Sequence, residues 1–279
     1  MQSHRKPTFT AMPPNTTQRA MVSQFMAVTG VQEKVALKFL KTSGWKLDQA
    51  SDSYFASHGI VPPTEKGKDS LERLFENYRD KGDGKDLVGA EGTMKYLLED
   101  LKVSLENAEM FIPLELCQVP SVGEISKDKF VEGWKSVSAD TIAKQRAYIK
   151  SKLPLLSTDI AYFKRVYRFV YLVARERDQK ALPLDAATTY WQVLFNPPGK
   201  TFVTATTDWT ALWFEFLQAK WTKTVNKDMW NQTLEFLLKA IEDETLSFWN
   251  EDGAWPSVID DFVTYAKQKK DRSEQMETD

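Results

Sequence analysis

The chain has 279 residues, 42% of them hydrophobic and 12% aromatic, with nine Trp and a net charge of −2. That is more than one small domain needs, and a core of this size requires neither disulfide nor metal. One cysteine, Cys117, and two histidines, His4 and His58, exclude an intramolecular disulfide, a zinc site built on Cys and His, and the usual Ser/His or Cys/His catalytic pairs.

No run of 18 apolar residues occurs, and the opening residues MQSHRKPTFTAMPPNTT lack the apolar stretch of a secretory signal. The expected setting is therefore reducing, cytoplasmic or nuclear, with no membrane contact. Charge is unevenly spread. Residues 141–180 carry ten Lys or Arg against three Asp or Glu, whereas residues 228–261 carry nine acids against one Lys. The acidic end suits a basic protein partner rather than nucleic acid.

Residues 1–14 are rich in Pro, Thr and Ser and are expected to be disordered. Residues 15–56 then show three short helical stripes: Met21, Val22, Phe25 and Met26; Val35, Ala36, Phe39 and Leu40; Leu47, Ala50, Tyr54 and Phe55. Their connectors are a loop at Thr29-Gly30 and a turn at Ser43-Gly44. The spacing of Gln24 to Gly30, Glu33 to Leu40, Trp45 to Ala50 and Tyr54-Phe55 resembles a ubiquitin-associated domain. That resemblance implies a ubiquitin-binding face at Val28, Thr29, Gly30, Tyr54 and Phe55. Where the family usually has Met-Gly-Phe or Met-Gly-Tyr, this chain has Val28-Thr29-Gly30, which removes an aromatic contact.

Residues 57–69, with Pro62-Pro63 and Gly67, read as a linker. Residues 70–267 read as one larger helical domain. Leu71, Leu74, Phe75 and Tyr78 open it, and the segment from Tyr78 to Glu91 has the outline of an EF-hand loop. Gly82 and Gly84 stand where carboxylates are needed, and Lys85 stands where the sharp turn requires Gly, so the expectation is an EF-hand-like loop without metal. Further along, Ser104 is placed to cap a helix with Met110, Ile112 and Leu114; Ser126 one with Phe130 and Trp134; and Ser157 precedes a long helix from Ile160 to Ala174. Pro183 suits the start of the helix bearing Tyr190, Trp191 and Leu194. Helices with Trp209 to Leu217, Trp230 to Ile241 and Ile259 to Ala266 follow. The fold class is all-α, with short β bridges at most, at 86–88 and 123–125. Residues 268–279 are expected to be a disordered tail.

The most distinctive string is Gly253-Ala254-Trp255-Pro256 followed by Ile259-Asp260-Asp261-Phe262-Val263. Gly253 can end one helix and Pro256 begin the next, with Trp255 buried at the corner. Asp228, Asp260 and Asp261 fall in or near first helical turns, where negative charge is favoured by roughly 0.3–1 kcal/mol each; helix electrostatics explains single acids but not their concentration. With Tyr190-Trp191 upstream, the chain resembles the "defective in cullin neddylation" family over residues 17–267. The resemblance implies a scaffold that promotes cullin neddylation with no catalytic residue and no cofactor of its own.

Two docking surfaces follow from it. Asp228, Ala254 and Asp260 match the family's patch for the cullin's C-terminal winged-helix region. Met94, Leu98, Met110, Leu114, Val122, Ile125, Val173, Tyr190 and Val193 match the pocket that receives the acetylated N-terminal Met of the neddylation conjugating enzyme. Each pocket residue suits an ordinary core equally well, and relative to the family this chain carries one extra residue between Gly92 and Leu101. The N-terminal unit would add ubiquitin or the ubiquitin-like modifier as a partner. The expected protein is a monomer that binds neither nucleic acid nor membrane. The competing reading is a ubiquitin-binding adaptor working through residues 15–56; a calcium sensor and a hydrolase are disfavoured by the loop and the histidine count.

Overall fold

The computed structural model describes residues 16–57, 65–176 and 178–278, apart from the side chains of Val28, Asp48, Asp52, Phe55, Ala56, Glu65, Lys66 and residues 272–278. The expected arm, most of the linker, His4 and His58 lie outside the described residues. The chain divides into two compact units, Met1–Thr64 and Glu65–Asp279.

In the first unit, α1 (Thr16–Thr29), α2 (Glu33–Thr42) and α3 (Leu47–Ser57) enclose Val22, Phe25, Ala36, Leu40, Ala50 and Tyr54. The rings of Phe25, Phe39 and Tyr54 meet at 5.3–6.3 Å, so one aromatic from each helix closes the core. Both connectors need left-handed backbone: Gly30 has φ +70°, Gly44 +59° and Trp45 +62°.

The second unit opens with α4 (Glu65–Glu76), a loop, β1 (Leu87–Val88) and α5 (Ala90–Lys95), which continues as a π-helical turn over Tyr96–Asp100. A 3₁₀ turn (Ala108–Met110), α6 (Phe111–Leu116), β2 (Ile125–Ser126) and α7 (Lys127–Ser136) follow. The two strands pair antiparallel, Leu87 opposite Ser126 and Val88 opposite Ile125, where the sequence allowed a bridge between 86–88 and 123–125. Both helix–loop–helix segments are thus clamped at their loops. In the first loop Asp83 does internally what a cation would: its carboxylate accepts from the backbone N–H of Asp80 at 2.9 Å and from that of Gly89. Those two bonds hold its pKa below the ordinary carboxylate value. Among the described residues no cluster of His, Cys, Asp and Glu could hold a metal ion. Gly92 lets α5 abut the end of α4, for a Cβ there would lie 1.9 Å from the Tyr78 carbonyl oxygen.

The rest is helical: α8 (Ile142–Lys152), α9 (Leu155–Thr158), α10 (Ile160–Ala174), α11 (Leu184–Phe195), α12 (Trp209–Lys220), α13 (Lys227–Glu242) and α14 (Ser257–Thr278). The expected stripes bury Phe163, Val166, Tyr167 and Val170 of α10 with Trp191, Trp213, Trp230 and Phe262 in one core. Tyr167 is its polar hub. Its hydroxyl donates to the Trp230 carbonyl at 2.6 Å and accepts from Trp191 Nε1 at 2.8 Å, while Trp230 Nε1 donates to the Tyr167 carbonyl at 3.0 Å.

Four expectations change. Ser104 caps no helix: its hydroxyl accepts from Glu106 N–H in a turn, and Asn107 caps the 3₁₀ segment. Asp159, not Ser157, caps α10 by accepting from Tyr162 N–H at 3.0 Å. α13 ends at Glu242, well before Gly253, because Asp243 turns the chain. The tail expected to be disordered from 268 instead continues α14 to Thr278, since that stretch contains no Pro or Gly and is rich in Lys, Gln, Glu and Arg, which favour helix.

Candidate functional site

The C-terminal corner is built on α13, a tightly held connection, and α14. Asn226 caps α13, its side-chain oxygen accepting from Met229 N–H at 2.8 Å, and Asp228 stands exposed in the first turn, where the helix dipole favours a carboxylate. At the other end Asp243 accepts from the backbone N–H and hydroxyl of both Ser247 and Thr245. The Ser247 and Thr245 hydroxyls lower its pKa to about 2. Leu246 is buried in a left-handed conformation (φ +58°), so the connection is held by both hydrogen bonds and burial.

Phe236 of α13 then organises the corner. Phe248 lies 5.4 Å from it, Trp255 5.8 Å and Phe262 of α14 5.5 Å. Trp255 is half-buried, which leaves its neighbour Ala254 exposed. Asp260, in the first turn of α14, is partly buried and accepts from Trp249 Nε1 at 2.9 Å. Ala254 thus stands exposed beside Trp255 and Asp260 is bonded to Trp249, while Asp228 lies eight residues before Phe236, about 12 Å along α13. The nine acids of 228–261 do not all face outward. Glu235 pairs with Lys164 of α10 at 2.7 Å, Asp243 serves the turn, and Glu244 meets the Thr206 hydroxyl. Asp228, Glu242, Glu251, Asp252 and Asp261 are exposed, and they form the acidic character of this end.

The residues matched to the apolar pocket divide three ways. Met110, Leu114, Ile125 and Val173 are buried in the main core. Val122, Tyr190 and Val193 are partly buried against it, with the Tyr190 ring 6.1 Å from Phe111. Met94 and Leu98 are 51% and 42% exposed. Leu98 lies within the π-helical turn that follows α5: Leu101 N–H bonds the Tyr96 carbonyl at 2.9 Å, five residues back, so this turn holds one residue more than an α-helical one. A cleft of about 680 Å³, whose walls include Trp209, Leu212, Leu246, Ala266 and Lys267, contains none of the pocket residues.

In the first unit, Gly30 is exposed and Thr29 is half-buried, its hydroxyl donating to the Phe25 carbonyl at 2.6 Å. Tyr54 is only 8% exposed and packs on Phe25 and Phe39 in the core of this unit. The side chains of Val28 and Phe55 lie outside the described residues. Sequence reasoning missed Trp249, whose bond to Asp260 joins two residues eleven apart across an irregular connection. It also missed Asp243, for which the following Thr245 and Ser247 were the available signal of a side-chain-bonded turn.

A cullin-binding family model matches residues 144–265, and a UBA-like domain model matches residues 19–60. Among curated relatives, "Defective in cullin neddylation protein 1" of Pyricularia oryzae is 40% identical over 270 residues, covering 92% of this chain and 96% of its own. The proteins of the same name from Yarrowia lipolytica and Caenorhabditis elegans are each 29% identical, covering 88% and 90% of this chain and 96% and 90% of theirs.

Proposed function

The chain belongs to the defective in cullin neddylation family, and from that footing we propose that it promotes cullin neddylation as a non-catalytic scaffold. The observation that supports this reading is the corner between α13 and α14, where exposed Ala254 adjoins Trp255 and Asp260 is held by Trp249, within the segment matched to cullin binding. Exposed carboxylates on a rigid body steer a basic partner and fix its register, and a small Ala admits close approach. The partner is the cullin's C-terminal winged-helix region, gripped through Asp228, Ala254 and Asp260.

The conjugating enzyme docks elsewhere. Met94, Leu98, Val122, Tyr190 and Val193, all exposed or partly exposed, with buried Met110, Leu114, Ile125 and Val173, would supply the apolar face that takes it. Acetylation suits that face, because an uncharged amide enters it without the desolvation penalty of an ammonium. Holding the charged enzyme and the cullin lysine together accelerates transfer by proximity. The protein's own thiol has no part in this: Cys117 is buried and its pKa is pushed far up by desolvation, which disfavours the reactive thiolate.

Titration calorimetry with a cullin C-terminal fragment tests the corner. Asp260→Ala should weaken binding about tenfold, a loss of about 1.4 kcal/mol, and Ala254→Arg should weaken it more, with both variants still folded in thermal melts. Wild-type affinity in both variants would refute the site. For the second surface, an acetylated N-terminal peptide of the enzyme should bind more tightly than its free-amine twin.

A further inference from the structure

A carboxylate on the first turn of an exposed helix ordinarily rotates freely, and a partner must freeze it before using it, which costs affinity. Asp260 differs. Its Oδ1 accepts from Trp249 Nε1 at 2.9 Å, and among the described residues Oδ2 has no partner and remains an acceptor. The indole is itself fixed: it is half-buried against the core, and Trp249 N–H donates to the Leu246 carbonyl at 3.0 Å, from a residue that Asp243 and burial hold in place. On its ring face sits the ammonium of Lys267, 4.7 Å from the centroid. That cation–π contact further restrains the ring.

We propose that Trp249 is a positioning residue for cullin recognition: it holds the Asp260 carboxylate in one orientation, with one oxygen free. The inference rests on the reading of Asp260 as a cullin contact.

A double-mutant cycle separates this from simple packing. The full-length protein, Trp249→Phe, Asp260→Asn and the double variant are titrated with the cullin C-terminal fragment, and each is melted in parallel. Phe keeps a ring for packing and for Lys267 but has no N–H to donate. Trp249→Phe should weaken binding about threefold to tenfold, the cost of ordering one freed side chain on binding. Because Trp249 acts through Asp260, the double variant should bind no more weakly than Asp260→Asn alone. Losses that multiply in the double variant, or a lowered melting temperature with unchanged affinity, would overturn the positioning role. If Asp260→Asn alone leaves affinity intact, the acidic corner fails as a cullin site and the role of Trp249 falls with it. If Asp260→Asn weakens binding and Trp249→Phe does not, only Trp249 is misassigned.

Discussion

Tyr167 shows what a single residue carries. With its hydroxyl bonded to Trp230 and Trp191, it links α10, α11 and α13. Tyr167→Phe would leave the Trp191 N–H without its acceptor and the Trp230 carbonyl without that donor, both buried, at a cost of about 1–3 kcal/mol each. Chemical denaturation should register a loss of about 2–6 kcal/mol with an unchanged slope. The burial of Tyr167, Trp191 and Trp230 was legible from their helical spacing. The network was not, because its members lie 24 and 63 residues apart, and periodicity reports which face is inward rather than which atoms meet. The same holds for Trp249 and Asp260. Tyr54 is the converse: its place in the stripe of α3 was legible, and the structure puts it in the core of the first unit.

Among the elements, the π-helical turn at Tyr96–Asp100 is the most informative. An extra residue was visible in the sequence between Gly92 and Leu101, but its structural outcome was not, since a bulge, a loop or a register shift would each absorb it. The turn keeps Tyr96 and Leu97 buried on one side and leaves Leu98 exposed on the other. Deleting Glu99, which is exposed, should let the Leu101-to-Tyr96 bond persist as an ordinary α-helical one. A melting curve should shift by only a few degrees, equivalent to about 1 kcal/mol. Deleting Gln232 in α13 would instead rotate one half of that helix against the other by about 100° and misplace its apolar stripe, and should unfold the domain. Capping was the least legible feature of the elements: Asn107 and Asp159 displaced the serines that sequence favoured, because hydroxyl, amide and carboxylate caps are nearly interchangeable in sequence patterns.

At the scale of the molecule, composition and periodicity conveyed a helical chain and a small three-helix unit ahead of a larger domain. The cullin role came from the Gly253 to Val263 string, a resemblance rather than a deduction from periodicity. What stayed hidden was how the charge of that end divides between internal pairs, such as Glu235 with Lys164, and exposed acids. If the larger unit carries both docking surfaces, removing residues 1–64 should leave transfer to the cullin largely intact in a purified reaction, whereas an adaptor working through the first unit would lose its function entirely. A scaffold also has a signature no enzyme shares. The rate of modifier transfer to a cullin, measured with increasing amounts of this protein, should rise and then fall once copies outnumber both partners and hold them apart. A rate that climbs to a plateau and stays there at large excess, or that never responds, would contradict the bridging account.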